Sequence, residues 1–268
     1  MTGSAINRLR RIECDRRDGV EAVFWFDGRV YSHVPGEADR ALFAVEGMLI
    51  RSTATVTDPV RGQGFKRVGR EMMLYKDVET GEVLEHWDNP FTGARNDVVH
   101  VANDHVNASY FERRTDGEPF TIPLRVYGPH WQMTQHIPIR RANPLGAGYD
   151  AEIGAAYHAV ELFSFSGGAS DLVDEARTSL PVAVTWSRLS DWLPFMEMSG
   201  RAGRIYAQVA GHKLSPGTDV PAALADVIDR QYPAFRKPPP LDDDAIMDTS
   251  WTEHRRIKET GHRWFETP

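Results

Sequence analysis

The stretch REMMLYKDVETGEVLEHWDNPFTGARNDVVHVANDHV, residues 70–106, decides the fold, because strand-like runs alternate with turns along it. Gly81 closes the first turn at no steric cost, since glycine tolerates a positive φ. Pro90 fixes φ in the second turn, which Gly93 closes. The strand-like runs between these turns are residues 71–76, 82–87 and 97–103. Three strands joined by short turns predict an antiparallel meander.

Strand-like segments recur along most of the chain. Residues 20–36 predict a hairpin, because Asp27-Gly28 lies between alternating apolar runs. Residues 43–57 and 155–165 predict longer strands. At least ten such segments at short spacing predict a mainly β (α+β) fold. Its expected form is an antiparallel β-barrel, lipocalin-like in outline, with flanking helices at the N- and C-terminal ends.

The expected organisation is a single domain that covers residues 1–268. Residues 1–19 predict an N-terminal helix, with Ser4 as its N-cap. Residues 20–212 form the predicted barrel. Residues 218–268 predict C-terminal helices around a stiff proline linker.

Composition argues against several classes of function. The formal net charge of −7 disfavours a nucleic-acid partner, because a phosphate backbone attracts basic surfaces. Cys14 is the single cysteine, so no disulfide can form within the chain. No run approaches the roughly 20 apolar residues that cross a membrane, and the first residues lack an apolar signal core. We expect a cytoplasmic protein without a membrane or nucleic-acid partner, and a homo-oligomer stays open.

Motifs for nucleotide binding, serine hydrolysis and zinc proteolysis are absent from the sequence. It contains no GxGxxG after a strand, no P-loop, no GxSxG elbow and no HExxH. A zinc site built on thiolates would need more than one cysteine, and the histidines match no fixed ligand spacing. We therefore expect no metal and no cofactor.

Acid/base chemistry without a bound cofactor is what the polar residues could perform. Glu161 lies among aromatic residues on one face of the strand 155–165. If that face points inward, burial would raise the pKa of its carboxyl group, which could then act as a general acid or base. A histidine exchanges protons near neutral pH, and a neighbouring carboxylate can fix its tautomer. The predicted catalytic residues are therefore His100, Asp104, His130, Glu161 and Tyr75.

Each candidate also has a purely structural interpretation. His100 could be half-buried and paired with a carboxylate or a backbone carbonyl, and Tyr75 could be a core tyrosine. His130 begins an alternating segment, residues 130–137. The polar face of this segment either points outward, as is usual for an antiparallel sheet, or lines a ligand pocket.

The predicted substrate-binding residues combine two arginines with aromatic side chains. Arg51 or Arg70 could hold an oxyanion or a carboxylate, because a guanidinium group forms paired hydrogen bonds. Arg70 could instead pair with Glu46 or Glu85. The aromatic members of the set are Trp131, Tyr157 and Phe163.

Residues 41–106 also carry a family resemblance. They contain FAVEGM at 43–48, REMMLY at 70–75, TGEVL at 80–84 and HVAND at 100–104. These motifs resemble the bacterial family named for domain of unknown function 1838, and the resemblance is looser over the rest of the chain. His105 stands where the family pattern continues with proline, which adds an imidazole or removes a stiff turn. The resemblance implies no particular activity.

The predicted function is a cofactor-independent lyase or isomerase that acts on a small aromatic compound by proton transfer. A lignin-derived diaryl compound that loses formaldehyde by a retro-aldol reaction is one example. The aromatic content favours an apolar or aromatic ligand, which a barrel of about eight to ten strands can enclose. Two alternatives stay open: a barrel that binds such a ligand without chemistry, and a hydrolase that uses water activated by histidine.

Overall fold

The computed structural model describes residues 4–245, 249–261 and 264. Its helices are α1 (Ala5–Glu13), α2 (Ala169–Val173), α3 (Ala222–Gln231) and α4 (Ser250–Thr260), with short 3₁₀ helices at Pro194–Met196 and Pro233–Arg236. Its strands are β1 (Ala22–His33), β2 (Arg40–Asp58), β3 (Gly62–Lys76), β4 (His86–Asp88), β5 (Arg95–Asp97), β6 (Val101–Asp104), β7 (Ala108–Phe111), β8 (Leu124–Tyr127), β9 (His130–Ala142), β10 (Ala156–Gly168), β11 (Ala183–Ser190) and β12 (Arg204–Lys213).

Ten of the strands form one antiparallel sheet. Its order is β6-β3-β2-β1-β12-β11-β10-β9-β8, and β7 also pairs with β3, while β4 and β5 form a separate pair. The prediction of a mainly β fold with flanking helices is thus confirmed. Among the described residues no strand pairing joins β6 or β7 to β8, so the sheet is open and a closed barrel is not confirmed.

The sheet curves so that strands from its two ends face a common interior. Phe65 of β3 and Trp131 of β9 belong to one buried apolar cluster, although five strands lie between them in the sheet. Leu9 and Ile12 of α1 complete this cluster, so the helix fills one end of the concave face. Phe43, Trp87 and other aromatic rings pack together in a second cluster at the other end.

Gly28 lies in the middle of β1, so the predicted hairpin turn at Asp27-Gly28 is wrong. A Cβ atom at this position would lie 2.2 Å from the carbonyl oxygen of Gln208 on β12. At Gly47, a Cβ atom would lie 2.6 Å from the ring of Phe26. A glycine can be required either by a tight turn or by the close approach of a neighbouring strand. At Gly28 and Gly47 the close approach is the reason.

The predicted three-strand meander forms only in part, since Lys76 at the end of β3 makes a single antiparallel bridge to Val83. β4 pairs with β5, while β6 returns to β3. The chain leaves the main sheet because Trp87 packs on Phe43, with ring centroids 5.2 Å apart. Asn89 holds the following turn by donating a hydrogen bond to the carbonyl oxygen of Met196 at 3.0 Å. The β4–β5 pair therefore covers one end of the concave face.

The helices at both ends are shorter than predicted. Ser4 caps α1 by accepting a hydrogen bond from the Asn7 amide, as expected. The helix stops at Glu13, because the Asp15 side chain accepts a hydrogen bond from the Arg17 amide and forms a turn instead. α3 and α4 lie on either side of the proline linker. Of the predicted terminal segments, residues 1–3, 246–248, 262–263 and 265–268 lie outside the described residues.

No helix in the part of the chain that the structure describes is both long enough and apolar enough to cross a membrane.

Replacing Gly28 with alanine should destabilise the protein by about 1–3 kcal/mol, because strands β1 and β12 must separate to admit the new methyl group. Denaturant unfolding should show a lower midpoint with an unchanged slope. Gly154→Ala is the matched control, since the nearest atom to its added Cβ is 3.7 Å away. Equal midpoints for Gly28→Ala and the wild type would refute the close approach of the two strands.

Candidate functional site

Polar side chains from both ends of the sheet meet on its concave face. Glu161 of β10 lies directly opposite Arg188 of β11 in the antiparallel register. Glu71 of β3 lies opposite Asn103 of β6. Since strand residues alternate between the two faces, these four side chains project from the surface that also carries Tyr157.

Arg188 is the centre of a hydrogen-bond network. Its Nη1 donates to Glu161 Oε1 at 2.9 Å, and its Nη2 donates to the Tyr157 hydroxyl oxygen at 2.8 Å. Across the interior, Asn103 Nδ2 donates to Glu71 Oε2 at 2.9 Å. The side chains of Arg188 and Glu161 keep 22% and 16% of their surface accessible, so a ligand can reach them.

Glu161 is the carboxyl group best placed for proton transfer. Burial raises its pKa above the ordinary value, the positive charge of Arg188 offsets part of this effect, and the negative charge of Glu71 adds to it. Arg188 stays protonated: burial acts to lower its pKa, but Tyr157 and Glu161 outweigh burial and raise it. A carboxyl group poised in this way can accept and return a proton closer to neutral pH than a surface glutamate.

Half-buried apolar side chains form the wall beside this network. The rings of Phe163 and Trp186 lie 6.3 Å apart, and Leu49 packs against both apolar clusters of the core. Trp251 of α4 meets the Tyr157 ring edge-on at 4.6 Å. Aromatic and aliphatic side chains therefore line one side of the network.

Two buried hydrogen-bond donors on β11 have no partner among the described residues. They are Nε1 of Trp186 and Nε of Arg188, two residues apart on the concave face. A buried donor without a partner costs free energy, and a bound ligand can supply the missing acceptor. The site thus offers donors to an oxygen atom of a ligand.

The concave face is open on the β9 side. Ile137 pairs with Glu161 and keeps 40% of its surface exposed. Near the opposite side, the amide of Ser250 donates a hydrogen bond to Asn103 Oδ1 at 3.3 Å, so the start of α4 is attached beside the site. Glu161 therefore lies beside a partly exposed edge of the concave face.

Four predicted site residues come together here, namely Glu161, Tyr157, Phe163 and Tyr75. Tyr75 is 4% exposed, and burial raises the pKa of its hydroxyl group. The charges of Arg188 and Glu71 also act on it, which places it within electrostatic range of the network. Tyr75 forms the inner boundary of the site and stays protonated.

His100 lies outside the site, and its contacts match the structural alternative. It is fully buried, its Nδ1 accepts a hydrogen bond from the Tyr75 amide at 2.9 Å, and its Nε2 donates to the carbonyl oxygen of Leu84 at 3.0 Å. Burial lowers its pKa to about 3, so the ring is neutral at physiological pH. A neutral ring with both nitrogens bound to the backbone joins two segments, and both of its nitrogens are already engaged.

Arg70 and Asp104 also lie away from the site, because they bind each other on the opposite face of the sheet. Arg70 Nε donates to Asp104 Oδ1 at 2.6 Å, and Arg70 Nη1 donates to the carbonyl oxygens of Ala234 and Lys237. The pair fastens the segment after α3 to the edge of the sheet. This partner set differs from the predicted alternative, in which Arg70 pairs with Glu46 or Glu85.

The remaining predicted residues lie elsewhere on β2 and β9. His130 is exposed, in the row of β9 that points away from the concave face, which matches the outward alternative. Trp131 is fully buried and belongs to the apolar core around α1. Arg51 lies beside Glu13 at the closed end of the concave face, which is the end that α1 fills.

The site contains residues that sequence reasoning missed, chiefly Arg188, Glu71 and Asn103. Their sequence signal is position: Glu71 shares the alternation of Met73 and Tyr75, and Arg188 that of Trp186. Once both ends of the sheet are known to face a common interior, the same alternation places all three side chains on the inner face.

A separate cleft, with a volume of about 840 Å³, lies between α3 and residues 176–181. Its charged groups mostly bind one another: Arg17 pairs with Asp15, and Arg236 binds two aspartates. Lys213 donates hydrogen bonds to two carbonyl oxygens and one hydroxyl group, and burial lowers its pKa to about 7. The concave face, with its unpartnered donors, is the better candidate site.

Within residues 4–245, 249–261 and 264, no group of three or more histidine, cysteine, aspartate or glutamate side chains could hold a metal ion.

Comparison with known proteins gives one informative match. The model of the family described as "Protein of unknown function (DUF1838)" matches residues 19–258, which include every side chain of the site. A comparison with curated proteins finds no match.

Replacing His100 with glutamine should destabilise the protein by about 1–3 kcal/mol at pH 7.5, because buried backbone groups lose well-placed partners. At pH 5 the variant and the wild type should differ less in their free energy of unfolding. The pKa of His100 is lowered by burial in the folded state from about 6.5 to about 3, so between these two pH values the unfolded chain binds the proton and the folded chain does not. The wild type then loses up to about 1.4 kcal/mol of stability per pH unit as the pH falls.

Denaturant unfolding at the two pH values measures this effect, with His136→Gln on the exposed row of β9 as the control. An unchanged midpoint at pH 7.5, together with lost turnover, would return His100 to an acid/base role.

Proposed function

Since the chain belongs to the family described as protein of unknown function (DUF1838), we propose its function from the geometry of the site itself. The protein is a cofactor-independent acid/base enzyme, a lyase or isomerase, that acts on a small aromatic compound. The curved sheet serves as a lipocalin-like cup for this compound. The observation that carries the proposal is Glu161, a half-buried carboxyl group with a raised pKa, bound to Arg188 beside aromatic walls.

Glu161 acts as the proton acceptor and donor in this proposal. In its ionised form it removes a proton from a hydroxyl group or an acidic C–H bond of the substrate. Arg188 supports the charge that develops on a neighbouring substrate oxygen, because its Nε has no partner among the described residues. Burial raises the pKa of Glu161, and Glu71, a second carboxylate held by Asn103 on the other side of the interior, adds to this effect.

The loss of formaldehyde from a β-hydroxy carbonyl compound illustrates the chemistry. Glu161 takes the proton of the hydroxymethyl group, and the C–C bond to that carbon breaks as formaldehyde forms. The electron pair of the broken bond passes into the carbonyl group and gives an enolate, whose oxygen lies near Arg188. The enolate carbon then takes the proton back, so that protons and electrons balance without an oxidant or a reductant.

Binding would use the groups that flank Glu161. Phe163, Trp186 and Leu49 contact the aromatic ring of the substrate, since they are the half-buried apolar side chains of the site. The indole N–H of Trp186 donates to an oxygen substituent on the ring. These contacts orient the substrate so that its acidic proton faces Glu161.

Replacing Glu161 with glutamine should lower turnover by about 10²–10⁴-fold, because the amide keeps the hydrogen bond from Arg188 but cannot transfer a proton. The affinity for the ligand should change by no more than a few-fold. Formaldehyde release and product formation from a panel of hydroxymethylated aromatic compounds provide the measurement. Glu79→Gln, in an exposed turn, is the matched control.

The result also separates the alternatives. Ligand binding by the wild type without any product would identify a non-catalytic binding protein. Incorporation of ¹⁸O from labelled water into the product would identify a hydrolase. Normal turnover by Glu161→Gln would refute the proposed role of this residue.

The acid limb of the pH profile should reflect Glu161. The rate should fall as the pH drops through a pKa above the ordinary glutamate value of 4.5, because the base becomes protonated. Arg188→Gln should move this limb to higher pH, since the positive charge that favours the carboxylate is lost. Initial rates between pH 4 and 9 measure the shift, and a limb that stays in place would contradict the pairing.

A further inference from the structure

A second group of charged side chains lies at the closed end of the concave face. Glu13, the last residue of α1, forms a buried ion pair with Arg67 of β3. Gln135 of β9 donates a hydrogen bond to Glu13 Oε1 at 3.3 Å. Arg51 of β2 lies farther away, with its Nη1 3.9 Å from Glu13 Oε2, which is too long for a hydrogen bond.

Positive charge exceeds negative charge in this group. One carboxylate faces two guanidinium groups, and Arg67 holds the shorter contact with it. Burial, followed by the charge of Arg67, lowers the pKa of Arg51. Cys14 lies close by but stays a neutral thiol, because burial raises its pKa to about 11. A buried cation without full compensation is costly, and an additional anion would offset that cost.

The arginines also have donors to offer. Arg51 Nη1 and Arg67 Nε are buried and have no hydrogen-bond partner among the described residues. The Arg51 side chain keeps only 10% of its surface accessible and lies over the Phe24 ring. Gly69 leaves space for it, because a Cβ atom there would lie 3.1 Å from Arg51 Cγ. Unpartnered donors on nearly buried cations are the groups that bind a carboxylate.

This charged group adjoins the acid/base site through the aromatic wall. Leu49 lies two residues before Arg51 on the same face of β2 and pairs with Glu71. Gln135 pairs with Phe163. Two residues along a strand span about 7 Å, so one aromatic ring can reach from the arginines to the wall in front of Glu161.

We propose that Arg51 and Arg67 bind an anionic substituent of the substrate, so that the preferred substrates are aromatic carboxylates. This inference rests on the proposed function and names its substrate class. The carboxylate binds at the closed end of the concave face, the ring lies against Phe163 and Trp186, and the reacting group faces Glu161. When no ligand is bound, the ion pair with Glu13 keeps Arg67 in place, and Arg51 lies over the Phe24 ring.

The test compares benzoate with benzamide, which have the same ring and differ in charge. The wild type should bind benzoate at least about tenfold more tightly than benzamide, because hydrogen bonds to charged groups are the stronger ones. Arg51→Gln should remove this preference and leave benzamide affinity unchanged. Arg29→Gln, an exposed arginine of β1, is the control for the change in net charge and should keep the preference.

Several results would overturn the inference. Equal affinity of the wild type for the two compounds would do so, and this measurement does not depend on any variant that fails to fold. Retained preference in folded Arg51→Gln would do so as well. An equal thermal shift from inorganic phosphate alone, at the same concentration, would show that the arginines hold a free anion instead of the substrate.

The proposed function is judged separately through Glu161→Gln. Loss of turnover in that variant, with an unchanged benzoate preference in Arg51→Gln, would remove the carboxylate subsite and leave the acid/base proposal intact. Normal turnover in Glu161→Gln, with a benzoate preference that depends on Arg51, would leave the subsite and remove the acid/base proposal.

Discussion

One buried carboxylate, that of Glu13, joins the two ends of the sheet to the same helix. Glu13 of α1 binds Arg67 of β3 with one carboxylate oxygen and accepts a hydrogen bond from Gln135 of β9 with the other. β3 and β9 lie near opposite ends of the strand order. Burial by itself would raise the pKa of Glu13, but Arg67 and Arg51 outweigh it and keep the carboxylate ionised. This contact therefore links the two ends of the curved sheet, from which Glu71 and Glu161 face each other.

Sequence reasoning succeeded where one strand contained the whole signal. The two-residue alternation around Glu161 places Tyr157 and Phe163 on its face, and the structure has them there, with the carboxyl pKa raised by burial as expected. The mainly β composition with helices at both ends was equally readable, because it depends on local periodicity. Nothing in this reasoning requires knowledge of which strands are neighbours.

Sequence reasoning failed where the role of a residue is set by contacts with a distant strand. Gly28 has the local pattern of a turn, but it is needed because Gln208 approaches, 180 positions later. His100 has the pattern of an acid/base residue, but burial and backbone contacts neutralise it. Arg188 was missed because a polar residue in an antiparallel strand is usually on the outer face. Only the curvature of the sheet turns that residue inward.

The position of α1 in the chain has a consequence for the order of assembly. Its partners Arg67 and Gln135 follow Glu13 by 54 and 122 residues. During synthesis the helix therefore emerges well before β9 exists, and it cannot adopt its final environment until that strand has left the ribosome. Contacts that span so much sequence form slowly, because long loops must close before they contribute. Until then the Glu13 carboxylate remains in water, and the apolar face of the amphipathic helix α1 has no apolar surface to pack against.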